Sequence, residues 1–322
     1  MIKSSISRIK KNPYKFFLLK LVVLFVIIFI FDYSVGNILR YFYFKQESGM
    51  PYRTTYSIEK TTADILIFGS SRANHHYHPD VFEKRLNLSY YNVGRDGNYV
   101  FYDYAILKGV LKRYSPKIVI LDFVIDEFQL NQNSYDRISV VLPYYRTHPE
   151  IRPIIELRST YEKFKSLSSI YPFNSLVLTI AFSNAGFYKK RKEDINGFVP
   201  LTKTWNGVIQ IDTSSVKFKL DNTKVKVYEA FIQDCISLKV KLYVVCSPYY
   251  IKSNHTNYSV LLGQEIAKRY NVMFIDYSKD SIFNFNSKLF ADIGHLNEEG
   301  AKNFSNMLID SISKSIENKV KK

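Results

Sequence analysis

Residues 65–72 read Ile65-Leu66-Ile67-Phe68-Gly69-Ser70-Ser71-Arg72. Four consecutive apolar residues without alternation mark a strand covered on both faces, as in a parallel sheet lying between helices. A strand that stops at Gly-Ser-Ser can project a serine hydroxyl at the mouth of such a sheet, where open α/β folds collect their sites. Ser71 is therefore a candidate nucleophile. A candidate base stands near the other end of the chain, in Asp292-Ile293-Gly294-His295-Leu296-Asn297. An Asp three residues before a His can hold the imidazole in the tautomer that takes a hydroxyl proton. The two segments become partners only in a fold that joins both chain ends at one sheet edge.

Working outward, strands and helices alternate. The strand at 63–68 is followed by a short helix at 79–86 and a second strand at 89–93. A helix over 99–114, with Tyr102, Ile106, Val110 and Leu111 on one face, leads to an apolar strand at 118–124. The rhythm resumes with helix 224–237, strand 241–246, helix 259–270, strand 272–275 and a last helix at about 298–316. Asn297 is a good cap for that helix, and Phe304, Leu308, Ile312 and Ile316 give it one apolar stripe. This order predicts an α/β fold with a doubly wound, flavodoxin-like parallel sheet. Between 129 and about 216 the rhythm breaks, in a stretch holding Pro143, Pro149, Pro153, Pro172, Pro200 and the single tryptophan, Trp205. It reads as an insertion, either a cap over the carboxyl edge of the sheet or a structural pad.

With 322 residues, 46% of them hydrophobic and 23% charged, the chain can bury a sizeable core and is too apolar to be disordered. The formal net charge of +16 is spread among acidic residues, and no nucleic-acid motif accompanies it. Part of the excess is topological: Lys3, Arg8, Lys10, Lys11, Lys15 and Lys20 precede or enter the first apolar stretch, residues 16–31. That stretch reads as a membrane anchor, with Lys20 placed to snorkel. No small-residue cleavage pattern follows it, which favours a retained signal-anchor over a cleaved signal peptide. The positive-inside rule then puts the amino terminus in the cytoplasm and the rest outside. The expected organisation is a cytoplasmic tip and transmembrane signal-anchor at 1–40, a linker at 41–60, and an α/β domain at 61–322.

Cys235 and Cys246, the only cysteines, fall in a helix and a strand and suit two small buried side chains; no metal site or disulfide framework can be built from them. His75, His76 and His78 are three imidazoles within four residues, but no carboxylate or cysteine stands at a partner spacing. A rim position before the Pro79 helix is the simpler reading. No cofactor is expected.

Acyl transfer needs an oxyanion hole as well. Asn92-Val93-Gly94-Arg95-Asp96-Gly97 follows the second strand, and glycine there lets a backbone N–H approach a substrate closely. With these three segments the chain resembles the SGNH, or GDSL-like, hydrolase superfamily over about residues 61–127 and 240–316. Gly69-Ser70-Ser71 stands in the place of the family's Gly-Asp-Ser, Gly97 in that of its oxyanion glycine, and Asp292 with His295 in that of its Asp-x-x-His. The resemblance implies that Ser71, Asp292 and His295 are catalytic, with the N–H groups of Ser71 and Gly97 binding the oxyanion. One segment departs from the pattern. Where the family has Gly-x-Asn-Asp after the third strand, this chain has Asp122-Phe123-Val124-Ile125-Asp126-Glu127, and Asp126 falls at the Asn. An ionised carboxylate cannot donate to an oxyanion, so either Asp126 is protonated or another donor, such as Asn131 or Asn133, has taken over.

Gly-Ser-Ser behind an amino-terminal anchor also looks like the membrane-tethered relatives that act on envelope polymers, among them the D-alanine-transfer protein of teichoic-acid modification and the SGNH-type polysaccharide O-acetyltransferases. That similarity implies acyl-ester chemistry at the membrane, outside the cytoplasm, on a polysaccharide or other envelope glycan, with other envelope-polymer modifying proteins as partners. It leaves hydrolysis and transfer open. A catalytically silent SGNH-like module that binds glycan or scaffolds other enzymes is the alternative that Asp126 allows.

Overall fold

In a computed structural model of the chain, the residues described are 12–187, 194–207, 218–251 and 257–320, with side chains to 314 in the last segment. Lys3, Arg8, Lys10, Lys11 and the expected end of the insertion at Val216 lie outside them. Five strands, β1 (Ile65–Phe68), β2 (Tyr90–Asn92), β3 (Ile118–Asp122), β4 (Lys241–Cys246) and β5 (Met273–Asp276), form one sheet in the order β2-β1-β3-β4-β5, every pair parallel. This is the flavodoxin-like order, and its direction of winding reverses between β1 and β3.

Side chains along the strands alternate between two cores. Leu66, Phe68, Val119, Leu121, Val244 and Cys246 face one; Ile65, Ile67, Ile118, Ile120, Tyr243 and Val245 face the other. That two-sided burial is why the strands read as continuous apolar runs. In chain order the helices are α1 (Pro13–Phe44), α2 (Gly49–Glu59), α3 (Ser71–His76), α4 (Pro79–Leu86), α5 (Val100–Leu111), α6 (Gln132–Asp136), α7 (Arg152–Ile155), α8 (Glu162–Lys165), α9 (Val177–Asn184), α10 (Asn222–Ser237), α11 (Tyr258–Arg269) and α12 (Glu298–Val320). Phe101, Ile106 and Val110 of α5 and Phe231 and Ile232 of α10 cover the first face. Phe82 of α4 and Phe304, Leu308 and Ile312 of α12 cover the second. Asn297 caps α12 as expected, its side-chain oxygen accepting from the Gly300 N–H at 2.9 Å. Cys235 and Cys246 are buried and unbridged.

Helix α1 is long and apolar enough to cross a membrane, with a mean hydropathy of 2.6 over its most apolar window and no part of that window buried in the protein. Residues 41–60, expected as a linker, are structured. Tyr43 is buried among Phe44, Tyr144 and Phe173, and α2 lies against α5. Polar bonds hold α2: Thr55 Oγ1 lies 2.6 Å from the Tyr144 hydroxyl, and Arg113 donates to the carbonyls of Ile58 and Thr61 at 2.6 and 2.9 Å. A helix fixed through threonine and arginine bonds shows no apolar stripe, which is why periodicity missed it. Of the expected insertion, residues 132–187 form short helices and 3-10 turns beside α1 and α5, whereas residues 195–205 run past α3 and the start of α12.

Candidate active site

Ser71 sits at the first turn of α3, directly after β1, at the point where the winding of the sheet reverses. The turn before it is held by the Gly69 N–H donating to Asp103 Oδ1 at 2.9 Å and the Gly69 carbonyl accepting from the Arg95 N–H at 3.0 Å. Ser71 Oγ lies 2.7 Å from His295 Nε2. The other imidazole nitrogen, Nδ1, is 2.9 and 3.0 Å from the two oxygens of Asp292. Burial opposes a charge on Asp292, but the N–H groups of Gly294 and His295 and the imidazole outweigh it and hold the carboxyl below its ordinary range. An ionised carboxylate only accepts, so Nδ1 carries the proton and Nε2 is left to accept from the serine hydroxyl. Half of the Asp292 side chain remains open to solvent, and the site lies at the surface.

Arg72, His76 and Ser247 fix these loops, in roles that the sequence did not suggest. Arg72 is buried with its guanidinium 3.5 Å from the centre of the Tyr249 ring. It donates to the Ser247 carbonyl, to Ser247 Oγ and the Pro248 carbonyl at 2.9 Å each, and to the Gly294 carbonyl at 3.2 Å, so the loop after β4 and the loop bearing His295 share one cation. His76, from the same helix, accepts from the Leu296 N–H at Nε2 (3.0 Å), which leaves its Nδ1–H to donate to Ser247 Oγ (3.0 Å); Ser247 in turn donates to Asp122 Oδ2 at 2.8 Å. Burial, reinforced by the Arg72 charge, drives the His76 pKa well below its ordinary value and keeps it neutral. The residue after His295 is thus anchored through a buried chain to the end of β3.

His75, His76 and His78 are all buried, a correction to the rim position expected for them. Their apolar neighbours explain it: His76 packs on Phe304 and His78 on Phe198. His75 donates from Nδ1 to the Val199 carbonyl at 2.7 Å and stands edge-on to the His295 ring. Among the described residues no group of three or more His, Cys, Asp or Glu side chains is placed to hold a metal ion.

The Asn92–Gly97 segment crosses the same mouth. Asn74 of α3 donates to Asp96 Oδ1 at 2.7 Å and accepts from Arg53 of α2 at 2.9 Å; Arg53 also reaches the carbonyls of Gly94 and Gly197. Burial works against the charge on Asp96, but His75, Asn74 and Arg53 hold its pKa below the ordinary range. Gly97 has φ +70°, a backbone conformation that favours glycine, and is exposed. The nearest group to the position of a Cβ there is the guanidinium of Arg137, at 3.3 Å. Asp126 is exposed on the turn after β3; Asn131 uses its side-chain oxygen to cap α6 at the Asn133 N–H, and Asn133 is exposed. Burial first, then the charges of Asp126 and Glu127, raise the Tyr99 pKa, while Arg137 opposes them. Arg137 is a cation that no motif singles out: it stands eleven residues after Asp126, inside the stretch where the strand–helix rhythm breaks.

Below this mouth three carboxylates are buried. Burial pushes Asp103 well above its ordinary range and raises Asp122, and it pushes Glu127 up to about 7. Glu127 accepts from the Val100 N–H at 2.9 Å, at the start of α5. Lys224 Nζ stands 4.5 Å from the Tyr99 ring centre and donates to the Gln129 carbonyl at 3.0 Å.

No family model matches the chain, and none of the curated proteins compared with it matches either. Among solved structures, an acetyl xylan esterase, AlAXEase, is similar in fold, with a TM-score of 0.40 and 13% sequence identity, over 77% of this chain and 99% of that one.

Proposed function

We propose that the chain is a membrane-anchored serine acyl-esterase or acyltransferase that works through an acyl-serine on ester groups of a polysaccharide at the cell envelope. One observation carries the reading: the 2.7 Å approach of Ser71 Oγ to the imidazole of His295, whose far nitrogen is held by Asp292. In the first step Ser71 Oγ bonds to the ester carbonyl carbon as its proton passes to His295 Nε2. The N–H groups of Ser71 and Gly97 stabilise the tetrahedral oxyanion, which collapses to acyl-Ser71 as His295 returns the proton to the departing alcohol oxygen. Water or a sugar hydroxyl then attacks the acyl-serine by the reverse proton path, freeing Ser71. Water makes the protein an esterase, and a sugar makes it a transferase.

Arg137, against Gly97, supplies positive charge near the developing oxyanion where Asp126 stands in place of the family's Asn. Helix α1 is read as the anchor, amino terminus inside, with the α/β domain of residues 61–322 outside and residues 129–216 as its insertion. Lys15 and Lys20, at the start of α1, support that orientation. The polysaccharide class rests on the resemblance of Gly-Ser-Ser behind an amino-terminal anchor to the membrane-tethered relatives that act on envelope polymers. The exposed carboxylate of Asp126 is the one feature that favours a silent, glycan-binding protein.

Release of acetate from an acetylated polysaccharide by the full chain in detergent, compared with Ser71→Ala, separates the two. Turnover lost in Ser71→Ala supports the enzyme. Glycan binding without turnover in either protein supports the silent module. Adding a free sugar acceptor to p-nitrophenyl acetate then divides hydrolysis from transfer.

A further inference from the structure

The segment from 161 to 167 carries an apolar surface that none of the described residues covers. Helix α8 has two unlike faces. Its inner residue, Glu162, is buried and bound by Arg158 and Lys165 at 3.1 Å and by the Tyr171 hydroxyl at 2.7 Å. On the outer side of the helix and its two flanks, Tyr161, Phe164 and Leu167 recur every three residues and are 66%, 68% and 75% exposed. Three large apolar side chains so exposed on one short turn are costly in water and mark a contact surface.

The partner follows from where this turn is fastened. Directly after Leu167, the Ser168 hydroxyl and the N–H groups of Ser169 and Ile170 donate to the carboxylate of Asp32, at 2.5, 2.6 and 3.3 Å. Asp32 is the first charged residue after the apolar run 16–31 of α1. Counting about 20 residues, the length that spans a bilayer core, from the start of α1 at Pro13 also reaches Asp32. The bonds therefore set residues 167–170 at the depth where α1 leaves the hydrocarbon. The approach is close: a Cβ at Gly36 would fall 2.3 Å from Ser169 Cβ. Exposed Lys163 and Lys165 flank the apolar positions, and Arg40 and Arg146 border the small cavity between α1 and this segment, placing cations beside the same surface.

We propose that Tyr161, Phe164 and Leu167 form an apolar foot that enters the headgroup–acyl boundary of the bilayer leaflet beside α1, with the neighbouring lysines at the phosphates. The inference rests on α1 being a membrane span. A foot and a span together give two points of attachment and hold the domain at a fixed tilt, where a single helix would leave it free to swivel.

The test uses the full chain reconstituted in bilayers of bromine-labelled phospholipid, with single Phe164→Trp, Leu167→Trp, Phe25→Trp and Leu238→Trp variants and the native Trp205 signal subtracted. Each of these positions is exposed, so folding is not at stake. Leu238, on the turn before β4, is the control on the domain body. Tryptophan at 164 and 167 is expected to be quenched severalfold more than at 238, and best by bromines near the headgroup end of the chains, about 5–10 Å deep. Tryptophan at 25 is expected to be quenched best by bromines near the chain ends. Strong quenching at 25 with 164 and 167 no better than 238 overturns the foot and leaves the span. No quenching at 25 overturns both. Shielding of 164 and 167 from bromolipid that is lost when the protein is diluted in lipid would assign the surface to a second copy of the chain, also against the proposal.

Discussion

Asp292 accepts three hydrogen bonds from its own turn, two from backbone N–H groups and one from His295 Nδ1, so the imidazole is oriented before any substrate arrives. Asp292→Asn replaces one acceptor oxygen by a donor and leaves the shape intact. It can trap His295 in the tautomer whose Nε2 carries the proton and cannot take one from Ser71. We expect kcat for ester hydrolysis to fall by roughly 10³- to 10⁴-fold with the thermal midpoint little changed. A variant with kcat close to wild type would show that Asp292 only shapes the turn. Arg137 makes a separate prediction: Arg137→Ala should lower kcat by about tenfold or more with a smaller change in KM, because its charge acts on the oxyanion and not on the bound ester. An equal change in KM alone would place it at the acyl or sugar moiety instead. Ser71, Asp292 and His295 were legible because each stands in a short motif at the end of a recognisable element. The roles of Arg72, His76 and Arg137 were not. Arg72 and His76 bond backbone carbonyls, an N–H and the Ser247 hydroxyl, and Arg137 lies beside Gly97, all distant in sequence, and such contacts leave no pattern of residue types.

Among the elements, α3 does the most to bring the two ends of the chain together. Its Arg72 grips the Ser247-Pro248 and Gly294 carbonyls, and its His76 grips the Leu296 N–H. Arg72→Lys keeps the charge but cannot fork to three carbonyls or stack on Tyr249. The expected loss is about 2–4 kcal/mol of stability together with most of the activity, measured by urea unfolding and ester turnover. Helix α5 supplies a pH-dependent counterpart. Glu127, on the turn after β3, accepts from the first N–H of this helix and is raised by burial from an ordinary 4.5 to about 7. The folded state therefore holds this proton more tightly than the unfolded one, and the stability it contributes is full below about pH 4.5 and lost as pH rises through 7. Glu127→Gln keeps an acceptor for the Val100 N–H without the charge. Relative to wild type it should gain roughly 1–3 kcal/mol between pH 4.5 and pH 8, with the opposing effect of Lys224 already contained in that shift. A stability difference that stays constant with pH would contradict the burial account. The strands and long helices of the sheet were legible from apolar runs and helical spacing. Helix α2 was not, because Arg53, Thr54, Thr55 and Ser57 make up most of its buried face and are held by hydrogen bonds, several of them to Asn74, Tyr102 and Tyr144 of other elements.

Over the whole molecule, the strand order explains how residues far apart in sequence meet. With β1 between β2 and β3, the turn after β1 opens at the reversal of winding, and α12 returns along the sheet to bring the His295 loop beside it. This much followed from the alternation of strands and helices. The packing of the amino-terminal helix onto the domain did not, since Gly36, Asp32 and Ser168–Ile170 meet by shape and backbone bonds. Gly36→Val should force α1 and the Ser169 segment apart, speeding amide hydrogen exchange at 168–170 while leaving exchange in β1 and β3 unchanged. Unchanged protection at 168–170 would mean that the contact is not a tight one.

The most direct measurement is the site of covalent capture. The full chain, treated with a fluorophosphonate and digested, is mapped by mass spectrometry beside its Ser71→Ala and His295→Ala variants. A single adduct on Ser71 in the wild-type chain, abolished in the first variant and strongly slowed in the second, is the result expected of a nucleophile activated by its neighbouring imidazole. A folded wild-type chain that takes no label, or takes it at another serine at the same rate in all three proteins, would contradict that account.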